Sequence, residues 1–140
     1  MRGGPAMAAM PKATGLLPLS GVALAGSTMG NALLWWAGSR LGRMTVGLPE
    51  VLLFSALGVV AGVALRLAVE RWAKRPARVF VRVCVGVLLV YALGPVSAAL
   101  APYMEGAETF TTVTVIATES MHLVSVGAIL LTLVPPPRAG

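Results

Sequence analysis

Four apolar runs, each long enough to cross a lipid bilayer, limit what this chain can fold into. They span residues 16–38, 51–69, 79–101 and 111–134. A membrane-spanning helix needs about 20 predominantly apolar residues, and inside hydrocarbon a helix satisfies its own backbone hydrogen bonds. The sequence therefore predicts an all-α protein, a four-helix transmembrane bundle. This membrane domain occupies residues 15–135, with a flexible tail at 1–14 and a short tail at 136–140.

The charged residues are too few for a soluble domain. Asp, Glu, Lys and Arg make up 11% of the chain, and the mean hydropathy is +0.86. A soluble domain has charges at roughly a quarter of its positions. The net charge is +6, and the basic residues that produce it lie at the ends of the apolar runs rather than over a folded surface. This distribution argues against nucleic-acid binding. The expected location is the cell membrane, as a multi-pass protein, with the lipid bilayer and no nucleic acid among its partners.

The basic residues predict how the chain is oriented. Positive charges that flank spans collect on the cytoplasmic side. Seven of them lie in the N-terminal tail, the second loop and the C-terminal tail: Arg2, Lys12, Arg71, Lys74, Arg75, Arg78 and Arg138. The first loop has two, Arg40 and Arg43, and the third loop has none. Both termini are therefore predicted to be cytoplasmic.

A signal peptide cleaved after Ala25 is the rival interpretation of the first run, because small residues precede that position. The run continues through Trp35 and Trp36, well beyond the cleavage pattern. This length favours an uncleaved first span.

Two Gly-x-x-x-Gly pairs predict close packing between helices. One joins Gly26 to Gly30 in the first run, and the other joins Gly58 to Gly62 in the second. In membranes, small residues let helix backbones approach closely. The two pairs together predict that the first and second helices pack tightly.

Arg66 lies near the cytoplasmic end of the second run, with Glu70 four residues later. This is the spacing of a helical ion pair. The long side chain of Arg66 is expected to snorkel to the membrane surface, and the alternative is a role in a cytoplasmic gate.

The fourth run has one polar face. On a helical wheel at about 100° per residue, one stripe contains Thr111, Thr114, Thr118, Ser125 and Thr132. Glu119 and His122 lie at the edge of this stripe, one turn apart. Ionisable residues within a span face a partner or a water-filled cavity and mark functional sites.

Polar residues of the other three runs lie at a similar depth in the outer half. We predict that they form one outward-facing pocket with the fourth run. Its catalytic residues are predicted to be Glu119 and His122, and its substrate-binding residues Asn31, Ser55, Tyr91 and Ser27. The alternative, that these groups only bridge helices by hydrogen bonds, stays open.

Neither a cofactor nor a metal is expected. Glu119-x-x-His122 has a known ligand spacing, but di-iron bundles need this motif twice with further carboxylates, and the chain has a single His. The sequence has no phosphate-binding loop and no nucleotide fingerprint. The single Cys84 excludes an intramolecular disulfide.

Three stretches of the sequence are similar to those of a known protein family. They are "GNALLWWAGSRLG", "AVERWAKRPARVF" and "MHLVSVGAILL". With them, the chain from about 16 to 134 resembles a family of small four-span membrane proteins of high-GC actinobacteria, whose function is unknown. The matching features are Asn31, the basic residues from Arg71 to Arg78, and Met121 with His122. The resemblance implies the four-span fold and no particular chemistry.

Three functions fit these features. The first is a membrane enzyme of biosynthesis, a cyclase, isomerase or epoxide-opening enzyme acting on a lipophilic small molecule. A carboxyl group in an apolar pocket favours its protonated form and serves as a general acid. Glu119 would donate the proton and His122 would act as base or orient Glu119, while Asn31 and Tyr91 would donate hydrogen bonds to the developing charge.

The second function is a small proton-coupled transporter or exporter. In it Glu119 would exchange protons for a solute, and a homo-oligomer, at least a dimer, would be needed to form the path. The third is a non-catalytic membrane subunit, whose polar residues only join the helices.

Overall fold

Four long helices make up most of the computed structural model, which describes residues 15–42, 44–100 and 111–134, without the side chains of 95–100. The helices are α1 (Leu16–Leu41), α2 (Leu48–Trp72), α3 (Pro76–Leu100) and α4 (Thr112–Leu133). Within these ranges there is no strand, and each helix is long and apolar enough to cross a membrane. The predicted all-α, four-helix class is confirmed. The predicted tails and residues 101–110 lie outside the described residues.

Polar residues and proline suit the helix ends, and α2 extends beyond its apolar run in both directions. α2 begins at Leu48, with Pro49 and Glu50 in its first turn, and it ends at Trp72. Proline fits the first turn of a helix, and an acidic side chain there favours the helix dipole. In α4, Thr111 is the N-cap, and its Oγ1 accepts a hydrogen bond of 3.1 Å from the Thr114 backbone N–H.

Two apolar clusters, one near each end of the bundle, show that consecutive helices run antiparallel. The first cluster joins all four helices through Leu16, Ala23, Val59, Val69, Phe80, Cys84, Ile129 and Leu133. The second joins the end of α1 and the starts of α2 and α4, with Leu34, Trp35, Val51, Ala117 and Met121. The start of α1 is therefore beside the end of α4, as in an up-and-down bundle. The longest packed interface lies between α1 and α4.

Large apolar side chains cover the outside of the bundle. Leu17 is 81% exposed and Leu131 is 85% exposed, and many other Leu and Val side chains are exposed as well, together with Phe54. A soluble protein rarely exposes apolar surface on this scale. Lipid tails solvate such a surface, so the exposed faces of the four helices fit a bilayer.

Gly26, Gly30 and Gly62 face α4 instead of the other glycine pair, which corrects the predicted contact. A Cβ atom at Gly30 would lie 2.6 Å from Val124 Cγ1, and one at Gly62 would lie 3.0 Å from Ile129 Cδ1. At Gly58 nothing lies within 4 Å. α1 and α2 do pack together, but the close backbone approach that needs glycine is made by α4.

Replacing Gly30 by Ala is expected to lower the free energy of unfolding by about 1–3 kcal/mol, because the added methyl group overpacks the α1–α4 interface. The measurement is helix content by circular dichroism during an SDS titration of the protein in detergent micelles. Gly58→Ala is the matched control, since it adds the same methyl group to open space. Equal stability of the two variants would show that α1 does not approach α4 closely at Gly30.

Arg66 does not snorkel, which corrects the second packing expectation. Its side chain is fully buried. Its Nη2 forms the predicted ion pair with Glu70 Oε1 at 2.7 Å, and its Nη1 donates a hydrogen bond to the Leu133 carbonyl. Leu133 is the last residue of α4, where carbonyls have no partner within their own helix. Arg66 is therefore held inside because it satisfies the end of α4.

Candidate functional site

Four polar side chains from three helices bind one another in the interior of the bundle. Asn31 Nδ2 donates hydrogen bonds of 2.8 Å to Ser55 Oγ and 2.8 Å to Ser125 Oγ. Ser27 Oγ lies 3.0 Å from Ser125 Oγ. We call Ser27, Asn31, Ser55 and Ser125 the Asn31 cluster. It joins α1, α2 and α4 at one level.

The local helix geometry explains why these groups meet. Ser27 and Asn31 are four residues apart and share one face of α1. The Ser55 hydroxyl donates to the Val51 carbonyl at 2.6 Å, which leaves its lone pairs for Asn31. Both amide hydrogens of Asn31 are engaged, while its Oδ1 is buried and has no hydrogen-bond partner in the part of the chain that the structure describes.

A second group of polar side chains lies between α3 and α4. The Tyr91 and His122 rings meet edge to face, with their centroids 5.5 Å apart and their planes at 64°. Glu119 lies one turn before His122 on α4. Glu119 Oε1 and His122 Nδ1 are buried, and neither has a hydrogen-bond partner among the described residues. We call Tyr91, Glu119 and His122 the Glu119 group.

The six predicted site residues therefore fall into two groups. The Asn31 cluster has Ser27, Asn31 and Ser55, and the Glu119 group has the other three. No hydrogen bond of the described residues joins the groups. On α4, Ser125 and Glu119 point about 120° apart at about 100° per residue, so they face different neighbours.

Ser125 is the member of the site that sequence reasoning missed. It lies on the polar stripe of α4, and that stripe was the available signal. The sequence does not show which of the five stripe residues meets Asn31. That depends on how far α4 is shifted along α1, and in the structure this shift brings Ser125 level with Asn31.

An apolar groove of about 340 Å³ on the outer face of α3 includes Tyr91 of the Glu119 group. It is lined by Val83, Gly86, Val87, Val90 and Tyr91 of α3. Tyr91 is 60% exposed, and its ring also contacts His122. Tyr91 is therefore the residue that connects this lipid-facing groove to His122.

The Glu119 group has the chemistry of a hydrogen-bonding and proton-transfer site. A buried polar atom without a partner costs about 1–3 kcal/mol, so a ligand that supplies the missing hydrogen bond is stabilised there. A carboxyl group and an imidazole one turn apart also suit proton exchange. In the described ranges, no three His, Cys, Asp or Glu side chains lie together as metal ligands would.

Four apolar helices in an antiparallel bundle, lipid-facing outer surfaces and an interior polar cluster define a small multi-pass membrane protein. The particular family follows from a family model, described as "Family of unknown function (DUF6069)", which matches residues 7–139. The chain belongs to this family. No curated protein and no solved structure matches it. The match agrees with the resemblance to a family of unknown function, and the actinobacterial source stays a prediction.

Proposed function

We propose that the protein is a membrane enzyme that rearranges a lipophilic small molecule by acid/base chemistry at Glu119 and His122. One observation carries this proposal: Glu119 Oε1 and His122 Nδ1 lie one turn apart, are buried and have no hydrogen-bond partner among the described residues, and the His122 ring contacts Tyr91, which lines an apolar groove. In hydrocarbon such groups are costly and mark functional sites. The cost is offset when a ligand binds them.

The proposed reaction is a cyclisation, an isomerisation or the opening of an epoxide. The Glu119 carboxyl donates a proton to one atom of the substrate, and His122 removes a proton from another. Transfer of that proton from His122 back to Glu119 restores the starting state, so a rearrangement consumes no further reactant. Tyr91 holds the imidazole by its ring contact.

The Asn31 cluster has a different part in this proposal. Asn31 uses both amide hydrogens on Ser55 and Ser125, so the role of donor to the developing charge is assigned to the Tyr91 hydroxyl. The role proposed for Asn31, Ser27 and Ser55 is to hold the helices around the substrate site in place, by joining α1 and α2 to α4.

Deletion of the gene, followed by metabolite profiling of lipid extracts, tests the proposal. The expected result is accumulation of a lipophilic precursor and loss of its rearranged isomer, both reversed by the wild-type gene. An unchanged profile would contradict the enzyme. Retention of one unaltered compound inside the cells, with its loss from the medium, would instead favour the proton-coupled exporter.

A non-catalytic membrane subunit is the second candidate, and the Asn31 cluster favours it. Its side chains bind one another across three helices, as helix-joining groups would. Interhelical hydrogen bonds of this kind contribute about 0.6 kcal/mol each. For such a subunit, the metabolite profile after deletion would be unchanged.

We also propose that both termini lie on the cytoplasmic side of the cell membrane, because seven flanking basic residues lie in the two tails and the second loop, against two in the first loop and none in the third. A reporter fused at Gly140 is expected to fluoresce as green fluorescent protein and to lack activity as alkaline phosphatase. The same reporters inserted after Gly106 are expected to give the reverse pattern. Phosphatase activity from the Gly140 fusion would refute this orientation.

A further inference from the structure

The connection between α2 and α3 presents an unbalanced positive surface. Five exposed basic side chains form it, and we call them the basic surface: Arg71, Lys74, Arg75, Arg78 and Arg82. The one acidic residue between positions 66 and 82 is Glu70, whose carboxylate pairs with the buried Arg66. Arg66, which also donates a hydrogen bond to the Leu133 carbonyl at the end of α4, therefore neutralises the one acid that would balance this surface.

The basic surface lies where two spans end, which is where a bilayer would place its lipid headgroups. α2 ends at Trp72 and α3 begins at Pro76. The Trp72 side chain is 82% exposed, and indole rings favour the membrane interface. Arg78 and Arg82 are four residues apart and share one outward face of α3. Their long side chains reach headgroup level from the first two turns of the helix.

We propose that the basic surface binds the phosphate groups of anionic phospholipids. Clusters of four to eight Lys and Arg residues beside a span attract anionic lipids, and a guanidinium group binds phosphate through two parallel hydrogen bonds. Three of these five cations are arginines on or beside the first turns of α3. Orienting the chain needs only their charge, whereas this proposal requires saturable binding of a headgroup.

Native mass spectrometry of the purified protein in neutral detergent tests the proposal. The probes are palmitoyl-oleoyl phosphatidylglycerol, palmitoyl-oleoyl phosphatidylcholine and inorganic phosphate. We expect saturable binding of the phosphatidylglycerol, weaker binding of the phosphatidylcholine, and no competition from equimolar phosphate. Raising the salt concentration is expected to weaken the binding, because the contact is electrostatic.

Single charge removals give the matched comparison. Arg75→Gln is expected to weaken phosphatidylglycerol binding about fivefold, because each basic residue near an anionic surface attracts it by a similar amount. The double variant with Lys74→Gln is expected to bind more than tenfold more weakly than the wild type. Arg40→Gln is the control, because Arg40 lies at the opposite end of the bundle against the Trp36 ring. Equal loss in Arg40→Gln and Arg75→Gln, or unchanged binding in the double variant, would overturn the proposal. Competition by free phosphate would show an anion site without a lipid. None of these outcomes depends on the proposed enzyme activity.

Discussion

Replacing Glu119 by Gln is expected to reduce conversion of the accumulated precursor by roughly 10²- to 10⁴-fold, the usual contribution of general acid/base catalysis. Glutamine keeps the size and hydrogen-bonding capacity of the side chain and removes its transferable proton. The measurement is the rate of product formation in membranes of the deletion strain that contain matched amounts of each variant.

Ser120→Ala is the control for this variant. Ser120 is the next residue on α4, and its hydroxyl donates to the Ile116 carbonyl of its own helix at 2.8 Å. It is expected to leave the rate unchanged. A fully active Glu119→Gln protein would contradict the enzyme proposal and favour the non-catalytic subunit.

The second ionisable residue gives a test of joint action. In the proposed mechanism His122 is the base, so His122→Asn is also expected to reduce the rate by roughly 10²- to 10⁴-fold. The double variant should then be no slower than Glu119→Gln alone, because residues that act as a unit are not additive. Multiplied losses would instead mean that the two residues act in separate steps.

Replacing Arg66 by Ala is expected to lower the free energy of unfolding by about 3 kcal/mol. Removing one partner of a buried ion pair is strongly destabilising, since the other partner loses its compensation. Here the fully buried guanidinium also satisfies the Leu133 carbonyl at the end of α4. The variant therefore leaves a cavity, and both the Glu70 carboxylate and the Leu133 carbonyl lose their partner. SDS-titration unfolding followed by circular dichroism measures the difference.

Glu70→Gln separates the ion pair from the contact with α4. The Glu70 side chain is 25% exposed, and Gln keeps an oxygen acceptor for Arg66, so a loss of about 1 kcal/mol or less is expected. If both variants lose the same stability, the charge pair dominates. Wild-type stability of Arg66→Ala would refute the role of Arg66 at the end of α4.

The sequence predicts which residues belong to the candidate site better than it predicts which of them lie together. Charge and hydrogen-bonding capacity in an apolar run identify Glu119, His122 and Asn31 wherever the helices pack, because hydrocarbon penalises each of them. The division into the Asn31 cluster and the Glu119 group was not predictable. It depends on which neighbour each face of α4 meets.

The sequence by itself determined the four helices, because the length and polarity of each run decide whether it crosses a bilayer. It also determined the polar stripe of α4 and the spacing of Arg66 and Glu70, which are local properties of one helix. The tertiary structure alone decided that Gly30 and Gly62 approach α4, that Ser125 meets Asn31, and that Arg66 turns inward to Leu133. In a membrane, lipid is as apolar as the helix faces, so hydropathy does not mark which face is buried. Rotation and register then follow from shape and interhelical hydrogen bonds, which connect residues far apart in the chain.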